Sequence, residues 1–432
     1  MGEAKLKHRV VIVGGGFGGI RAAQQLAKHR DEFDITLISD RPHFEYHAAL
    51  YRVVTGRSPL EVCIPLSTIF SHSAVKVVED TAKTVYPKTK QLIGESGSNY
   101  AYDSLILALG SQTAYFDVQG LRERSFALGS ITDALRMKRH LHEIFDETAR
   151  QLKDGQKKAI HLVVVGGGTT GVELSGELAI YARVLAKKHR LSPNIVTIDL
   201  FEATDRLLAR SPEKVSQLAY QRLHRLGVNI FLDTPITERQ VETVYLKDVE
   251  IRTKTLIWTA GVRPNQLYST IKGLALNKYG RVLVDPSMQA RGTRDLYVIG
   301  DAAASAYSGM AQTAVDDGAF VAGGLHRKLH GRPPIGYTKR GTPFGKSCGY
   351  TADYRPHQPI AAIPIGPGWA MVLIGNRIVT GWIGWILRKL ADLKFFLSIL
   401  PVRSALVAFT DGYRLSESCP VCSKSDQSHH GA

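Results

Sequence analysis

Two copies of one glycine-rich pattern, about 150 residues apart, constrain the fold of this chain more than any other feature. The first copy, residues 14–19, follows an apolar β-branched run at 9–13 and precedes residues with helical spacing. The second copy, residues 166–171, follows a similar run at 161–165 and precedes a helical pattern at 172–186. A strand, a tight Gly-x-Gly-x-x-Gly turn and a helix are typical of the start of a dinucleotide-binding unit. The sequence therefore predicts two such units, whereas a single copy would also fit an unrelated glycine-rich turn.

Each glycine of the turn has its own physical role. In the first copy, Gly14 permits the tight turn, Gly16 lets a pyrophosphate approach the backbone, and Gly19 allows the helix to pack closely on the strand. The free N–H groups and the dipole at the helix N-terminus then favour the phosphates. The predicted phosphate-binding residues are Gly14, Gly15, Gly16, Phe17, Gly18 and Gly19 in the first unit, and Gly167, Gly168, Thr169, Thr170 and Gly171 in the second.

The residue that ends the second strand of each unit predicts how the ribose is bound. An acid about 20 positions beyond the turn hydrogen-bonds a ribose hydroxyl. In the first unit this position falls on Ser39 or Asp40, so the acid is displaced by one residue. In the second unit it is Glu202, whose carboxylate binds a free 2′-hydroxyl and repels a 2′-phosphate. This favours NADH over NADPH, although Arg206 nearby weakens the preference.

Three further strands complete the pattern in a chain of 432 residues, a length that suggests two or three domains. Apolar runs end in Ala108-Leu109-Gly110 and in Thr259-Ala260-Gly261, each after its own glycine turn. A later strand ends in Gly300-Asp301. Two dinucleotides in one chain imply electron transfer between a nicotinamide and a flavin.

This order of motifs resembles the two-dinucleotide-binding flavoprotein reductases. The run Gly-Val-Glu-Leu-Ser-Gly-Glu-Leu at 171–178, together with a hydrophobic helical C-terminal segment, is similar to the type II NADH:quinone oxidoreductases. The resemblance covers about residues 8–330, and 340–415 more loosely. It implies an α/β fold with two Rossmann-like domains and a small C-terminal membrane-associating module. The expected boundaries are 1–120 and 280–335 for the FAD-binding domain, 155–275 for the NADH-binding domain, 340–415 for the module and 416–432 for a flexible tail.

The resemblance also implies a reaction and the residues that perform it. NADH would give a hydride to FAD, and the reduced flavin would give two electrons to a membrane quinone of the respiratory chain, without proton pumping. Asp301 would contact the ribityl chain of FAD, and Glu173 would lie between nicotinamide and flavin. Without the surrounding pattern, these two acids would read as an ordinary strand-end acid and helix N-terminal acid. Further expected cofactor contacts are Ser39, Asp40, Ala108, Gly110, Gly261, Gln312, Thr313 and Ala314.

The acceptor end departs from the family pattern of two glutamines one turn apart. Gln312 is present, but Asp316 and Asp317 stand where the second amide would be. Residues 312 and 316 share a helix face, so Asp316 is expected to point at the quinone, where it would alter quinone preference or transfer a proton. We therefore assign Gln312 and Asp316, with Glu173, to catalysis. An exposed, merely solvated charge is the alternative, and it is stronger for Asp317.

Cysteine usage weighs against the nearest rival, the sulfide:quinone oxidoreductases, which use paired reactive cysteines beside the flavin. Cys63 and Cys348 are isolated in sequence. Cys419 and Cys422 have metal-ligand or redox spacing, with only His429 and His430 as further ligands, so we expect a tail without bound metal and assign no metal site. A disulfide or an intermolecular metal clip is the alternative. Another flavin reductase, passing electrons to sulfur or to a small redox protein, and a non-enzymatic NADH-sensing flavoprotein remain as alternatives.

The net charge of +16 suggests an acidic partner, and the C-terminal segment favours an anionic membrane surface. Residues 382–400 predict an apolar-faced helix that Pro401 ends, in a region of local charge +4. Arg388, Lys389 and Asp392 should lie on the other side of this helix. No spanning helix and no signal peptide are expected. No nucleic-acid motif is expected either, since no run of five Lys or Arg occurs.

We therefore expect a peripheral protein on the cytoplasmic face of the membrane. Its expected partners are NADH, a membrane quinone and anionic lipid, and the protein is expected to form a homodimer. A core or dimer-interface helix is the alternative reading of residues 382–400.

Overall fold

The computed structural model describes residues 6–116, 118–156, 158–240, 243–246, 249–332, 354 and 358–411. The strands are β1 (His8–Val13), β2 (Phe33–Ser39), β3 (His43–Glu45), β4 (Cys63–Pro65), β5 (Val75–Glu79), β6 (Ala82–Tyr86), β7 (Gln91–Gly94), β8 (Asn99–Ala101), β9 (Ser104–Leu107), β10 (Ser111–Thr113), β11 (Phe126–Ala127), β12 (Ile160–Val165), β13 (Val196–Phe201), β14 (Asn229–Phe231), β15 (Ile236–Gln240), β16 (Thr243–Leu246), β17 (Val249–Arg252), β18 (Thr255–Trp258), β19 (Val262–Pro264), β20 (Leu296–Val298), β21 (Ala361–Pro364), β22 (Ala370–Ile374) and β23 (Arg377–Thr380). The α-helices are α1 (Phe17–Leu26), α2 (Leu50–Val54), α3 (Leu66–Ile69), α4 (Leu121–Arg124), α5 (Ile131–Lys153), α6 (Thr169–Lys188), α7 (Glu213–Arg225), α8 (Leu267–Thr270), α9 (Ala311–Leu329), α10 (Gly381–Ile399) and α11 (Val402–Asp411).

The chain divides into two compact units, each built from three segments. Unit 1 comprises the described residues of Met1–Phe44, Ile64–Gln112 and Val262–Pro359. Unit 2 comprises those of Glu45–Cys63, Thr113–Gly261 and Ile360–Ala432.

Unit 1 is organised on a parallel sheet of order β20-β9-β1-β2-β5. The last four residues of its central strand, β1, are β-branched and buried (residues 10–13), as expected for a parallel sheet covered by helices. Val13 lies opposite Ile38 on one side and Leu107 on the other, so three strands end together. Helices α1 and α9 pack on each other through Gly18 and Gly318, where a Cβ on Gly318 would lie 2.3 Å from the Gly18 carbonyl oxygen.

Unit 2 repeats this arrangement with a parallel sheet of order β11-β18-β12-β13-β14. Val165 at the end of β12 lies opposite Phe201 and Trp258, which end the neighbouring strands. The Trp258 indole N–H donates to the Ala114 carbonyl oxygen at 2.7 Å, so a buried polar group is satisfied. Both parallel sheets carry the predicted strand–turn–helix start, and the predicted α/β fold with two Rossmann-like domains is confirmed.

The C-terminal segment contains a small antiparallel sheet, β21-β22-β23, followed by two helices. Strands β21 and β22 flank the Gly-Pro-Gly turn at 366–368. Helix α10 has 19 residues and ends just before Pro401, also as predicted. Among the helices that the structure describes, none combines the length and apolar character needed to cross a bilayer.

The orientation of α10 revises one expectation about its charges. Arg388 and Asp392 are buried, with 8% and 0% of their surfaces exposed, whereas Trp382 and Leu390 are 66% and 55% exposed. The charged face of this helix therefore packs against the rest of unit 2, and its apolar face is accessible. The local charge of +4 predicted for this region includes Arg388. Its guanidinium is paired with Asp392 inside the fold, so it is not available to anionic lipid and that part of the expectation is wrong. Cys348, Cys419, Cys422, His429, His430 and the predicted tail at 416–432 lie outside the described residues.

Candidate functional site

The first glycine turn has the geometry of a phosphate cradle. Gly14 has a φ of +116°, and a Cβ there would lie 2.3 Å from the Ala108 carbonyl oxygen. A Cβ on Gly19 would lie 2.0 Å from the Gly14 carbonyl oxygen, so only glycine permits this contact between helix and turn. Gly16 precedes the first turn of α1, and a Cβ there would meet nothing within 4 Å. Open space in front of free backbone N–H groups is what a bound phosphate requires.

The position that binds a ribose in such folds carries a serine in unit 1. The Gly14 N–H donates to Ile38, which makes Ser39 the next residue beyond the turn contact. Ser39 is buried, and its Oγ would lie 2.7 Å from a Cβ on Gly15. Asp40 is exposed and lies 3.8 Å from the Arg41 guanidinium. The acid therefore stands one position further along than the acid of unit 2.

A second group of predicted residues meets at the C-terminal ends of β9 and β20. The Ser111 hydroxyl donates to Asp301 Oδ2 at 2.6 Å, across the strand ends. Gly110 has a φ of +63° and separates Ser111 from β9. Ser111, which the sequence reading did not single out, thus orients the carboxylate of Asp301.

The N-terminal turn of α9 brings further predicted residues to the first glycine turn. A Cβ on Gly18 would lie 3.0 Å from the Ala314 carbonyl oxygen. Thr313 is 1% exposed, and among the described residues its hydroxyl has no hydrogen-bond partner. A buried hydroxyl without a partner costs free energy, so a polar ligand atom at this position would satisfy it.

The three polar residues of α9 that the sequence places at the acceptor end occupy different environments. Gln312 is exposed and Asp316 is partly exposed. Asp317, for which an exposed charge was an alternative as strong as a functional role, is instead fully buried and accepts the Gly300 N–H at 2.9 Å. Burial raises the pKa of Asp317 to about 6. The alternative is therefore wrong for Asp317, since its face of α9 packs against the loop after β20.

The second glycine turn in unit 2 reproduces the first. Gly166 has a φ of +111°, and a Cβ there would lie 2.6 Å from Ala260 Cα. A Cβ on Gly171 would lie 1.9 Å from the Gly166 carbonyl oxygen. Gly168 precedes α6, and a Cβ there would again meet nothing within 4 Å. The two cradles therefore share the tight turn, the close helix contact and the open position.

The predicted ribose acid of unit 2 is held by the backbone around it. Glu202 Oε2 accepts the Gly167 N–H at 2.6 Å, and Oε1 accepts the Thr204 N–H at 2.8 Å. Arg206 donates instead to the Ala209 and Ser211 carbonyl oxygens, at 2.6 and 2.9 Å. Its guanidinium therefore binds backbone oxygens of its own loop. Arg206 thus no longer weakens the predicted preference for NADH over NADPH.

The remaining predicted residues of unit 2 surround the same turn. Thr169 and Thr170 begin α6 and are exposed. Gly261 faces the ring of Phe116, whose Cζ would lie 2.6 Å from a Cβ on that glycine. Phe116 is itself 64% exposed, an unusual position for a large aromatic side chain. Sequence reasoning missed Phe116 because its only signal is a contact across 145 residues of chain.

Glu173, on the first turns of α6, is buried within unit 2. Burial raises the pKa of Glu173 to about 8, and the charges of Arg388 and Arg52 offset part of that effect. Asp392 and Glu177 act in the opposite direction. The carboxyl is therefore neutral at pH 7 and able to donate a hydrogen bond or a proton.

A buried ionic network surrounds Glu173 and joins α10 to the segment around α2. Arg52 donates to Glu61 and, at 3.0 Å, to Asp392 Oδ2. The other oxygen of Asp392 accepts from Tyr46 at 2.6 Å and pairs with Arg388 at 2.7 Å. Burial alone would raise the pKa of Asp392, but the two guanidinium groups lower it, so the carboxylate stays ionised. Sequence patterns carry no signal for this network, since its members lie up to 346 positions apart.

Comparison with known proteins adds independent findings. The chain matches the family model of the pyridine nucleotide-disulphide oxidoreductases over residues 8–318. A type II NADH:quinone oxidoreductase of Mycobacterium tuberculosis is 30% identical over 425 residues, which cover 94% of this chain and 88% of the relative. A type II NADH:quinone oxidoreductase of Haemophilus influenzae is 29% identical over 327 residues, covering 68% of this chain and 73% of the relative.

Solved structures share the fold at lower identity. NDH2 from Plasmodium falciparum in complex with NADH is 17% identical, with a TM-score of 0.81 over 96% of this chain and 100% of that chain. The sulfide:quinone oxidoreductase from Aquifex aeolicus is also 17% identical, with a TM-score of 0.74 over 92% of each chain. At such identities the likeness shows the fold alone.

Proposed function

The chain belongs to the pyridine nucleotide-disulphide oxidoreductases and, within them, to the type II NADH:quinone oxidoreductases, and from this premise we propose that it oxidises NADH and reduces a membrane quinone through bound FAD. The observation that carries the proposal is the pair of matched phosphate cradles, one in each unit. Two dinucleotide sites in one chain suit transfer of a hydride between two cofactors.

We assign FAD to unit 1, which corresponds to the expected FAD-binding domain. The open position at Gly16 suits the pyrophosphate, and the Asp301 carboxylate, oriented by Ser111, suits a hydroxyl of the ribityl chain. The unpartnered hydroxyl of Thr313 supports the presence of a polar ligand at the start of α9. When bound, FAD would accept a hydride from NADH and supply two electrons to the quinone.

We assign NADH to unit 2, where Gly168 leaves space for the pyrophosphate. Glu202 is held rigidly by the Gly167 and Thr204 N–H groups, beside the position of the ribose. A carboxylate here accepts from a free 2′-hydroxyl and repels a 2′-phosphate. Since Arg206 donates to its own loop, this arrangement supports NADH over NADPH.

Quinone reduction requires a proton donor, and this chain offers a buried carboxyl group, Glu173, and an accessible one, Asp316. Glu173 is neutral at pH 7 because of its burial, so we propose that it holds a proton at the reacting centre. Gln312 and Asp316 are accessible on α9, and we propose that they face the quinone. Asp317, by contrast, has a structural contact with the Gly300 N–H.

We further propose that the protein binds an anionic membrane surface from the cytoplasmic side, through α10 and α11. This proposal is supported by an accessible apolar face on these two helices. Exposure of such a face to water is unfavourable, and burial in a lipid surface would relieve it. Its exposed members are Trp382, Ile383, Ile386, Leu390, Leu397, Val402, Leu406 and Val407. Exposed Lys394 and Arg403 lie on the same helices and would attract anionic lipid. Such binding would bring the protein to its membrane-dissolved substrate, and no proton pumping is proposed.

The absorption spectrum of the purified protein tests the reaction. We expect an oxidised flavin band that bleaches with NADH and returns on addition of a ubiquinone or menaquinone analogue. NADPH serves as the control and should bleach the band far more slowly. Flavin that binds but is not reduced by NADH would support a sensing role instead. Reduced flavin that quinones do not reoxidise would favour a reductase with another acceptor.

A further inference from the structure

Three histidines and one glutamate from separate parts of unit 1 meet at the far ends of α1 and α9. His29 closes the short helix that follows α1, and Glu32 immediately precedes β2. His326 and His330 lie one turn apart at the end of α9. Residues four positions apart on a helix project from the same side, so both imidazoles are directed to one region.

The polar atoms of this cluster are already close together. His326 Nδ1 lies 2.9 Å from Glu32 Oε2, and His330 Nε2 lies 3.2 Å from Glu32 Oε1. One ligand atom each of His29, Glu32 and His326 lies within 4.8 Å of the others. Ligand atoms around a tetrahedral zinc ion are about 3.3 Å apart, since each bond is about 2.0–2.1 Å long. The two Glu32–histidine distances are already close to this spacing, and His29 lies within the 4.8 Å limit.

From this geometry we infer that the cluster, which we call the α1–α9 His cluster (His29, Glu32, His326 and His330), binds a divalent transition-metal ion such as zinc. Three imidazole nitrogens and a carboxylate oxygen form a donor set that suits zinc and related ions rather than calcium or magnesium. The inference does not depend on the proposed redox function.

The surroundings favour metal binding over an ordinary surface ion pair. Among the described residues, the ion-pair partners of Glu32 are His326 and His330, with no lysine or arginine. The nearby Lys28 instead donates to Gln25 at 2.8 Å. The side chains of His326, Glu32 and His330 are 28%, 35% and 44% exposed, so an ion from solvent has access.

The backbone holds the ligands in place before any ion arrives. The Glu32 N–H donates to the His29 carbonyl oxygen at 2.9 Å, which closes the turn between them. Close packing at Gly18 and Gly318 fixes α1 against α9. Along α1, the cluster is about 20 Å from the glycine turn, since each residue advances about 1.5 Å. A bound ion would therefore clamp the two helices without touching the phosphate cradle.

Zinc titration of the full-length protein tests this inference. Because Cys419, Cys422, His429 and His430 are potential zinc ligands, the reference protein carries Cys419→Ser, Cys422→Ser, His429→Ala and His430→Ala. Competition with a chromophoric chelator should reveal one tightly bound Zn²⁺ per chain. Zinc should also raise the midpoint of thermal unfolding, because the assembled cluster binds it more tightly than the unfolded chain does.

Variants of the cluster then separate a metal site from a structural one. His326→Ala and the near-isosteric Glu32→Gln should each weaken zinc binding at least about tenfold, since loss even of an outer-shell partner costs that much. Circular dichroism confirms that each variant folds. His72→Ala, at an exposed histidine outside the cluster, should bind zinc like the reference. A reference protein without bound zinc, or equal affinity in the reference and both cluster variants, would overturn the inference.

Discussion

Gly16 and Gly168 are equivalent residues in the two units, and each faces open space. Their φ values are −88° and −72°, which any residue adopts, so a side chain there adds bulk without backbone strain. We expect Gly16→Val to lower FAD occupancy at least about tenfold, because its side chain would occupy the phosphate position. Gly168→Val should retain FAD but raise the KM for NADH at least about tenfold, for the same reason in unit 2.

The flavin-to-protein absorbance ratio and the steady-state KM measure these two effects. Gly323→Val is the matched control, since a side chain at this α9 glycine also meets open space, outside either cradle. The assignment of one dinucleotide to each unit fails if both cradle variants lose the same cofactor.

Glu173 is a residue whose burial predicts a pH dependence of stability. Its pKa rises from 4.5 to about 8 on folding, so between these values the folded state holds a proton that the unfolded state has released. Stability from this group is therefore present at low pH and lost as pH rises through that window. Relative to Glu173→Gln, the free energy of unfolding should fall by up to about 1.4 kcal/mol per pH unit.

Urea unfolding at pH 5.5, 6.5 and 7.5 measures this difference. Glu143→Gln, at an exposed glutamate on α5, should show the pH dependence of the unmodified protein. Unfolding curves of Glu173→Gln that shift with pH in parallel with the unmodified protein would contradict a protonated Glu173.

Among the secondary-structure elements, α10 is held in the fold by its buried charges. Asp392 neutralises Arg52 and Arg388 in the interior of unit 2. Asp392→Ala should lower the free energy of unfolding by about 3–5 kcal/mol, because it leaves two buried guanidinium groups short of a partner. Glu95→Ala, which breaks the exposed ion pair with Lys83, should cost less than about 1 kcal/mol. Similar unfolding midpoints for the two variants would show that the network contributes little.

The elements themselves were largely predictable. The β-branched runs before Gly14 and Gly166, the helices after them, and the end of α10 at Pro401 are local signals, and the structure has them where expected. Which face of α10 packs against the protein was less predictable. Helical spacing separates an apolar from a charged face, but only the partners Arg52 and Tyr46, from distant sequence, explain why the charged face is inside.

For the whole molecule, the accessible apolar face of α10 and α11 predicts attachment to lipid. Leu390 and Leu406 lie on this face, one on each helix. The double variant Leu390→Asp with Leu406→Asp should weaken binding to vesicles containing anionic lipid at least about tenfold, since each buried leucine contributes about 1.5–3 kcal/mol. Co-sedimentation with vesicles measures this binding.

Val184→Asp is the matched control for the membrane prediction, because Val184 is an exposed apolar residue on α6 of the same unit. It should co-sediment like the unmodified protein. Both proteins should still reduce a water-soluble quinone, so that lost binding is separated from lost activity. Unchanged binding of the double variant would instead favour a protein interface on this face.

Local sequence was enough to predict the two dinucleotide units, the strands that build them and the glycines that shape their turns. These features depend on residues within about 40 positions, where turn sterics and hydrophobic periodicity act directly. The folded chain was needed to show that Asp317 is buried, that Ser111 orients Asp301, and that Arg206 donates to its own loop. It also assembled the buried network of α10 and the α1–α9 His cluster. The physical reason is that these polar contacts join distant segments, and their energies depend on burial and distance, which periodicity does not encode.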